Sequence, residues 1–170
     1  MGIRAVHPGD EPPVVPPIPP LPQRHRERPA PNWPAALISS AGVIAAIMGT
    51  FLSWRVADHE SGFATHLIGW DEAGKAVVIL VAGLVAAGAT GALWTDLRGL
   101  TLKLVLLTTG LVVLAAAGLE IANVLSLDPF DGYEYSVGSG LPVVAVGGAL
   151  LVLAALVDRG PWAFGSDPPT

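Results

Sequence analysis

The stretch LVVLAAAGLEIANVLSLDPF, Leu111–Phe130, decides how this chain is read. It stays apolar through Leu119, then places Glu120 and, one turn later, Asn123 before the apolar run has ended. A helix on the surface of a soluble protein shows a polar stripe from its first turn, returning every ~3.6 residues. None is present before Glu120. Either the carboxylate works inside a membrane, or it marks the place where the membrane stops.

Composition points the same way. Of 170 residues, 52% are hydrophobic and 14% are charged, where soluble domains carry about 25% charged residues. A bilayer span needs ~20 predominantly apolar residues, because each advances ~1.5 Å across ~30 Å of hydrocarbon. Four windows suit that length: Trp33–Trp54, Ala76–Thr95, about Leu100–Leu125, and Leu141–Val157. The first two contain no charge, and neither shows the polar face that a soluble four-helix bundle requires. The expected fold class is all-α: a polytopic membrane protein with four transmembrane helices in a bundle.

Around this domain, residues 33–157, the chain changes character. Residues 1–32 contain EPPVVPPIPPLPQRHRERPAPN, dense in proline, which lacks an amide donor and favours polyproline II. They are expected to form a disordered cytoplasmic arm, with residues 158–170 a short cytoplasmic tail. Pro19, Pro22 and Arg24 match a PxxPxR docking pattern of the kind that aromatic-lined grooves recognise. A stiff linker with a basic stop at the membrane explains the same residues, and short proline patterns arise readily by chance. No apolar segment follows the early charges, so the arm does not read as a signal peptide, and the first span is expected to serve as the insertion signal.

Lysine and arginine placement sets orientation. Arg4, Arg24, Arg26, Arg28, Arg98, Lys103 and Arg159 fall on one side, and only Arg55 and Lys75 on the other. Seven against two puts both termini in the cytoplasm by the positive-inside rule. Trp33, Trp54, Trp70, Trp94 and Trp162 all lie at or beyond span ends, where indoles collect at headgroup level. The outer segments 55–74 and 126–140 are acidic and are expected to form small caps.

Helix association in lipid depends on close backbone approach at small residues and on polar links. Ala41, Ala45 and Gly49 in the first span, and Gly83, Ala87 and Gly91 in the second, repeat every four residues and are expected to pack against each other. AGKAVVILVAGL at Ala73 and SGLPVVAVGGAL at Ser139 echo one another faintly, hinting at a pair of parallel hairpins.

Glu120 has two readings. Seventeen residues separate it from Lys103, about 25 Å of helix. If Lys103 reaches the cytoplasmic headgroups, Glu120 lies near the outer edge of the hydrocarbon. It is then either a proton- or cation-handling carboxylate facing the bundle interior, or a boundary residue bonded to Asn123 or Ser126. The boundary reading is preferred, because no other span supplies a complementary charge.

The outer residues Asp58, His59, Glu60 and His66, and Asp128, Asp131 and Glu134, lack the spacing of a metal site and read as solvated acidic loops. With no cysteine, a disulfide and a thiolate site are excluded. No catalytic arrangement or phosphate loop is visible. No enzyme activity, metal, cofactor or nucleic-acid partner is expected.

The segments GTFLSW, GWDEAGK and SVGSGLPVVAVGGALL, with Arg exceeding Lys seven to two, resemble small four-span membrane proteins of high-GC Gram-positive, actinobacterial type. The resemblance spans roughly residues 33–157 and implies a protein of the bacterial cytoplasmic membrane. That group has no assigned activity, so no functional residue carries over. The expected role is a non-catalytic accessory or assembly component packing in the bilayer against another membrane protein, with a homo-oligomer also open. The alternatives are a small transporter or channel component using Glu120, and a sensor that binds ligands with its outer loops.

Overall fold

The protein is described here by a computed structural model covering residues 32–158, except 72, 73, 96, 98, 130 and 131. Among the described residues, four helices form: α1 (Trp33–Gly49), α2 (Lys75–Trp94), α3 (Leu100–Leu125) and α4 (Gly140–Val157). The last three are long and apolar enough to cross a membrane. At 17 residues, α1 reaches only the lower limit for a span.

The all-α expectation needs correction. Three strands, β1 (Ser53–His59), β2 (Ala64–Ile68) and β3 (Tyr133–Val137), make an antiparallel sheet in the order β2-β1-β3. The two segments expected to be separate caps are thus one element. The expected first span, Trp33–Trp54, is shortened for the same reason. Its helix stops at Gly49, where Thr50 and Phe51 make tight turn bonds back to Ile47 and Met48. The indole Nε1 of Trp54 donates to the Gly49 carbonyl at 3.0 Å, which satisfies an acceptor left over at the helix end. Trp54 is 3% exposed, so it is a core residue rather than a headgroup anchor.

The helices close into a ring, α1 against α2 and α4, and α3 against α2 and α4. Its interior is built largely of alanine, including Ala46, Ala82, Ala86, Ala117 and Ala154. Large side chains such as Ile44, Leu84, Leu111, Leu119 and Leu156 face outward. Small residues inside and large apolar ones outside is the size order that suits helices solvated by lipid, because close backbone contact supplies the attraction.

The close approaches between helix backbones involve α4. A Cβ at Gly42 would lie 3.0 Å from the Gly147 carbonyl, and one at Gly110 would lie 2.9 Å from the Gly148 carbonyl. The contact ridge of α1 is therefore Gly42, Ala46 and Gly49, facing α4, with Ala41 turned outward and Ala45 half-buried. On α2, Gly83 meets Ile47 of α1 and Ala87 is half-buried, but Gly91 faces open space. Gly49 thus lies on the contact line, Ala41 and Ala45 fall one position off it, and the ridge faces α4 rather than the small residues of α2. Both phases of that helix are rich in small residues, so spacing alone did not separate them.

Candidate functional site

The buried residues of α3 are Lys103, Leu106, Gly110, Val113, Ala117, Glu120 and Val124. Their alternating steps of three and four residues form one continuous seam facing the other helices. Glu120 is part of that seam and is 2% exposed. A buried carboxylate requires partners, since an unpaired charge inside is strongly unfavourable.

Two come from outside α3. Arg55 Nη2 of β1 and Lys75 Nζ, at the first residue of α2, lie 2.5 Å from Glu120 Oε1 and Oε2 respectively. Asn123 Nδ2 adds a long bond of 3.4 Å to Oε2. The expected link between Glu120 and Asn123 is thus present but secondary. Ser126 bonds the Asn123 carbonyl instead. The premise that no other span supplies a complementary charge fails, since Lys75 is the first residue of α2, and Arg55 adds a second cation from β1.

Local backbone geometry aims Arg55. Neighbouring strand residues normally point to opposite faces, yet both Trp54 and Arg55 reach the helices. A register shift between Ser53 and Arg55 in the β1–β2 ladder, an extra residue on β1, resolves this. Beyond it, Ala57 is buried and Asp58 is exposed, which restores alternation.

Beside the cluster, a recess of about 250 Å3 lies between α2 and α3, with Lys75, Glu120 and Asn123 at one end and Val78, Ala116 and Leu119 among its walls.

A second buried polar cluster sits at the other end of α3. Lys103 is 1% exposed and donates to the Asp158 carbonyl at 2.7 Å, and its Nζ lies 3.8 Å from Asp158 Oδ2. Asn32, just before α1, donates to Asp158 Oδ1 at 2.7 Å. Lys103 is therefore a buried tie between α3 and the ends of α1 and α4, not a side chain reaching out to headgroups.

Between the two clusters lie about 25 Å of helix with no buried ionisable group among the described residues. The buried hydroxyls there, Ser39 and Thr90, bond carbonyls of their own helices. Thr108 and Thr109 do the same.

On the sheet, His59 contacts Ser61 Oγ at 2.6 Å and stacks edge-on against Tyr133. Asp58 and Glu134 are cross-strand neighbours. Among the described residues, no group of three His, Asp or Glu side chains converges on a metal position. Pro19, Pro22, Arg24, Asp131 and Trp162 lie outside the described residues.

Arg55 and Lys75 are the partners of Glu120 that sequence reading missed. The signal was present: Arg55 is the one Lys or Arg in segments 55–74 and 126–140, Lys75 follows directly after the first of them, and an intramembrane acid calls for a basic partner. No family model matches the sequence, and no curated protein matches it.

Proposed function

We propose that the protein is a four-helix transmembrane bundle of the bacterial cytoplasmic membrane with both termini inside, acting as a non-catalytic accessory or assembly component that packs against another membrane protein. The sheet then sits on the outer side as a fixed cap. The observation that carries this reading is the engagement of both Glu120 oxygens by Arg55 and Lys75. A carboxylate used to fasten the cap to α2 and α3 is poorly placed to take up and release a travelling ion. The apolar interior below it supplies no next step for a proton, since intramembrane relays run through chains of acidic and histidine side chains.

Support for the membrane setting comes from the outward-facing large apolar side chains and the three long apolar helices. Support for the orientation comes from the charge asymmetry across the helices. The test is a mild-detergent pull-down of the full chain from its native membrane. The reading expects a membrane protein recovered in stoichiometric amount. Glu120-dependent proton or cation flux by the purified chain in vesicles would favour the competing reading, a small transporter or channel component.

A further inference from the structure

Among the described residues, β2 pairs with β1 on one side and has no strand on the other. The His59 N–H donates to the Phe63 carbonyl at 2.9 Å, and residues along an antiparallel pair then alternate between bonding the partner strand and facing away from it. Thr65 and Leu67 therefore bond β1, while Ala64, His66 and Ile68 turn their N–H and C=O groups outward. Those of Ile68 are taken: its N–H donates to Asp71 Oδ2 at 2.8 Å, and its carbonyl accepts from the Asp71 N–H at 3.0 Å. Among the described residues, no hydrogen bond reaches the outward groups of Ala64 and His66. Edge strands are normally blunted by charge, proline, a bulge or a covering element. Ala64–Ile68 contains no Asp, Glu, Lys, Arg or Pro, and the extra residue of the ladder lies on β1. Phe63, at the head of the strand, is 76% exposed.

We propose that β2 pairs antiparallel with β2 of a second copy of this chain, Ala64 of each copy opposite His66 of the other. This register joins the outward N–H groups of Ala64 and His66 in each copy to the outward carbonyls in the other and leaves none over. The neighbouring registers fail. His66 opposite itself would set Ala64 against Ile68, whose groups are bonded to Asp71, and Ala64 opposite itself would set His66 against Gly62, whose N–H donates to the His59 carbonyl in the turn. Side chains agree with the pairing. Thr65 meets Thr65 at the centre, and the exposed Phe63 of each copy meets Leu67 of the other, both favourable kinds of cross-strand pair. No acid of one copy faces an acid of the other across the seam, although the outer segments are acidic. The two-fold axis of such a pair runs through the sheet from one face to the other. Both copies therefore turn the face that carries Ala57 and Leu67 toward their helices, as chains inserted in one direction require. The inference rests on the membrane-spanning reading for that shared direction and needs no other membrane protein.

The chain has no cysteine, so a single introduced one reports the seam without background. The test oxidises the full chain mildly in its native membrane. Thr65→Cys should give a disulfide-linked dimer, because the central residues of this register form a non-hydrogen-bonded pair with Cα atoms about 4.5 Å apart, within disulfide range. Ser136→Cys, also exposed but on β3, should stay monomeric. Adding His66→Pro to Thr65→Cys should abolish the dimer. It removes an N–H that faces away from β1, so the β1–β2 ladder and the folded chain are kept. Ala64→Pro acts in the same way and serves if His66→Pro does not fold. In mild detergent, the purified wild type should elute as a dimer and the proline variant as a monomer. Thr65→Cys that stays monomeric, Ser136→Cys that cross-links as readily, or a dimer undiminished by either proline overturns the proposal. Cross-linking of Thr65→Cys to a different protein also overturns it, because a foreign strand would then cover the edge.

Discussion

Replacing Glu120 by Gln tests what the cluster is worth. As an unpaired boundary carboxylate, Glu120 would lose little, because removing a poorly solvated charge is favourable. Held by Arg55 and Lys75, its loss leaves two cations facing a neutral amide. Breaking a fully buried pair costs ~3–5 kcal/mol. Lys75 is nearly half exposed and can turn to water, so about 1–3 kcal/mol is expected here, read as a lower unfolding midpoint in detergent. Lys103→Met gives a sharper contrast. A lysine reaching out to headgroups would be replaced without loss, whereas the buried tie to Asp158 predicts destabilisation by about 3–5 kcal/mol. Recovery of stability in the double variant Lys103→Met, Asp158→Asn would show that the loss lay in the orphaned carboxylate. Both roles were hidden in the sequence for one reason: Glu120 meets partners 65 and 45 positions away, and Lys103 one 55 away. Spacing along a helix does not report contacts at such separations.

At the scale of elements, the helices were legible because apolar length is a local signal. The expected spans for α2 and α3 agree with the observed helices to within a residue. The sheet was not read, although its cues were present. Tyr133–Val137 alternates half-buried and exposed positions behind Gly132 at φ 80°, and Ser61-Gly62 turns the β1–β2 hairpin with Gly62 at φ 87°. In a chain dominated by apolar helices, these short polar segments passed for loops, yet twenty residues without structure are uncommon in a compact domain. The glycines make a testable distinction between helix seams. Gly147→Val should overpack the α1–α4 contact, because any Cβ there lies within 3.0 Å of the Ala46 backbone. A loss of at least ~1–3 kcal/mol is expected. Gly91→Val meets open space and should leave the unfolding midpoint nearly unchanged, which would not hold if α2 packed through Gly91.

For the molecule as a whole, the proposed arrangement places the Lys103 cluster at the inner surface, with the sheet outside. Topology reporters fused at Asp131 and Thr170 should report outside and inside respectively. An outward signal at Thr170 would contradict four spans, and would point to α1, the shortest helix, as the one that does not cross. Deleting residues 1–21 while keeping Arg24, Arg26 and Arg28 should leave insertion and stability unchanged, because a proline-dense segment has no core to contribute. Loss of a copurifying partner alone would instead assign a docking role to Pro19, Pro22 and Arg24.

The central claim is that Glu120 fastens the outer sheet to the helices, and a double-mutant cycle of Glu120→Gln and Arg55→Gln in the full chain measures that fastening directly. The two residues touch, so the losses should overlap: the double variant should be more stable than the two single losses predict when added, with a coupling of about 1 kcal/mol or more. Losses that add to within ~0.3–0.5 kcal/mol, as for independent sites, would mean that Arg55 does not hold Glu120. The carboxylate would then be available for the transport role set aside above.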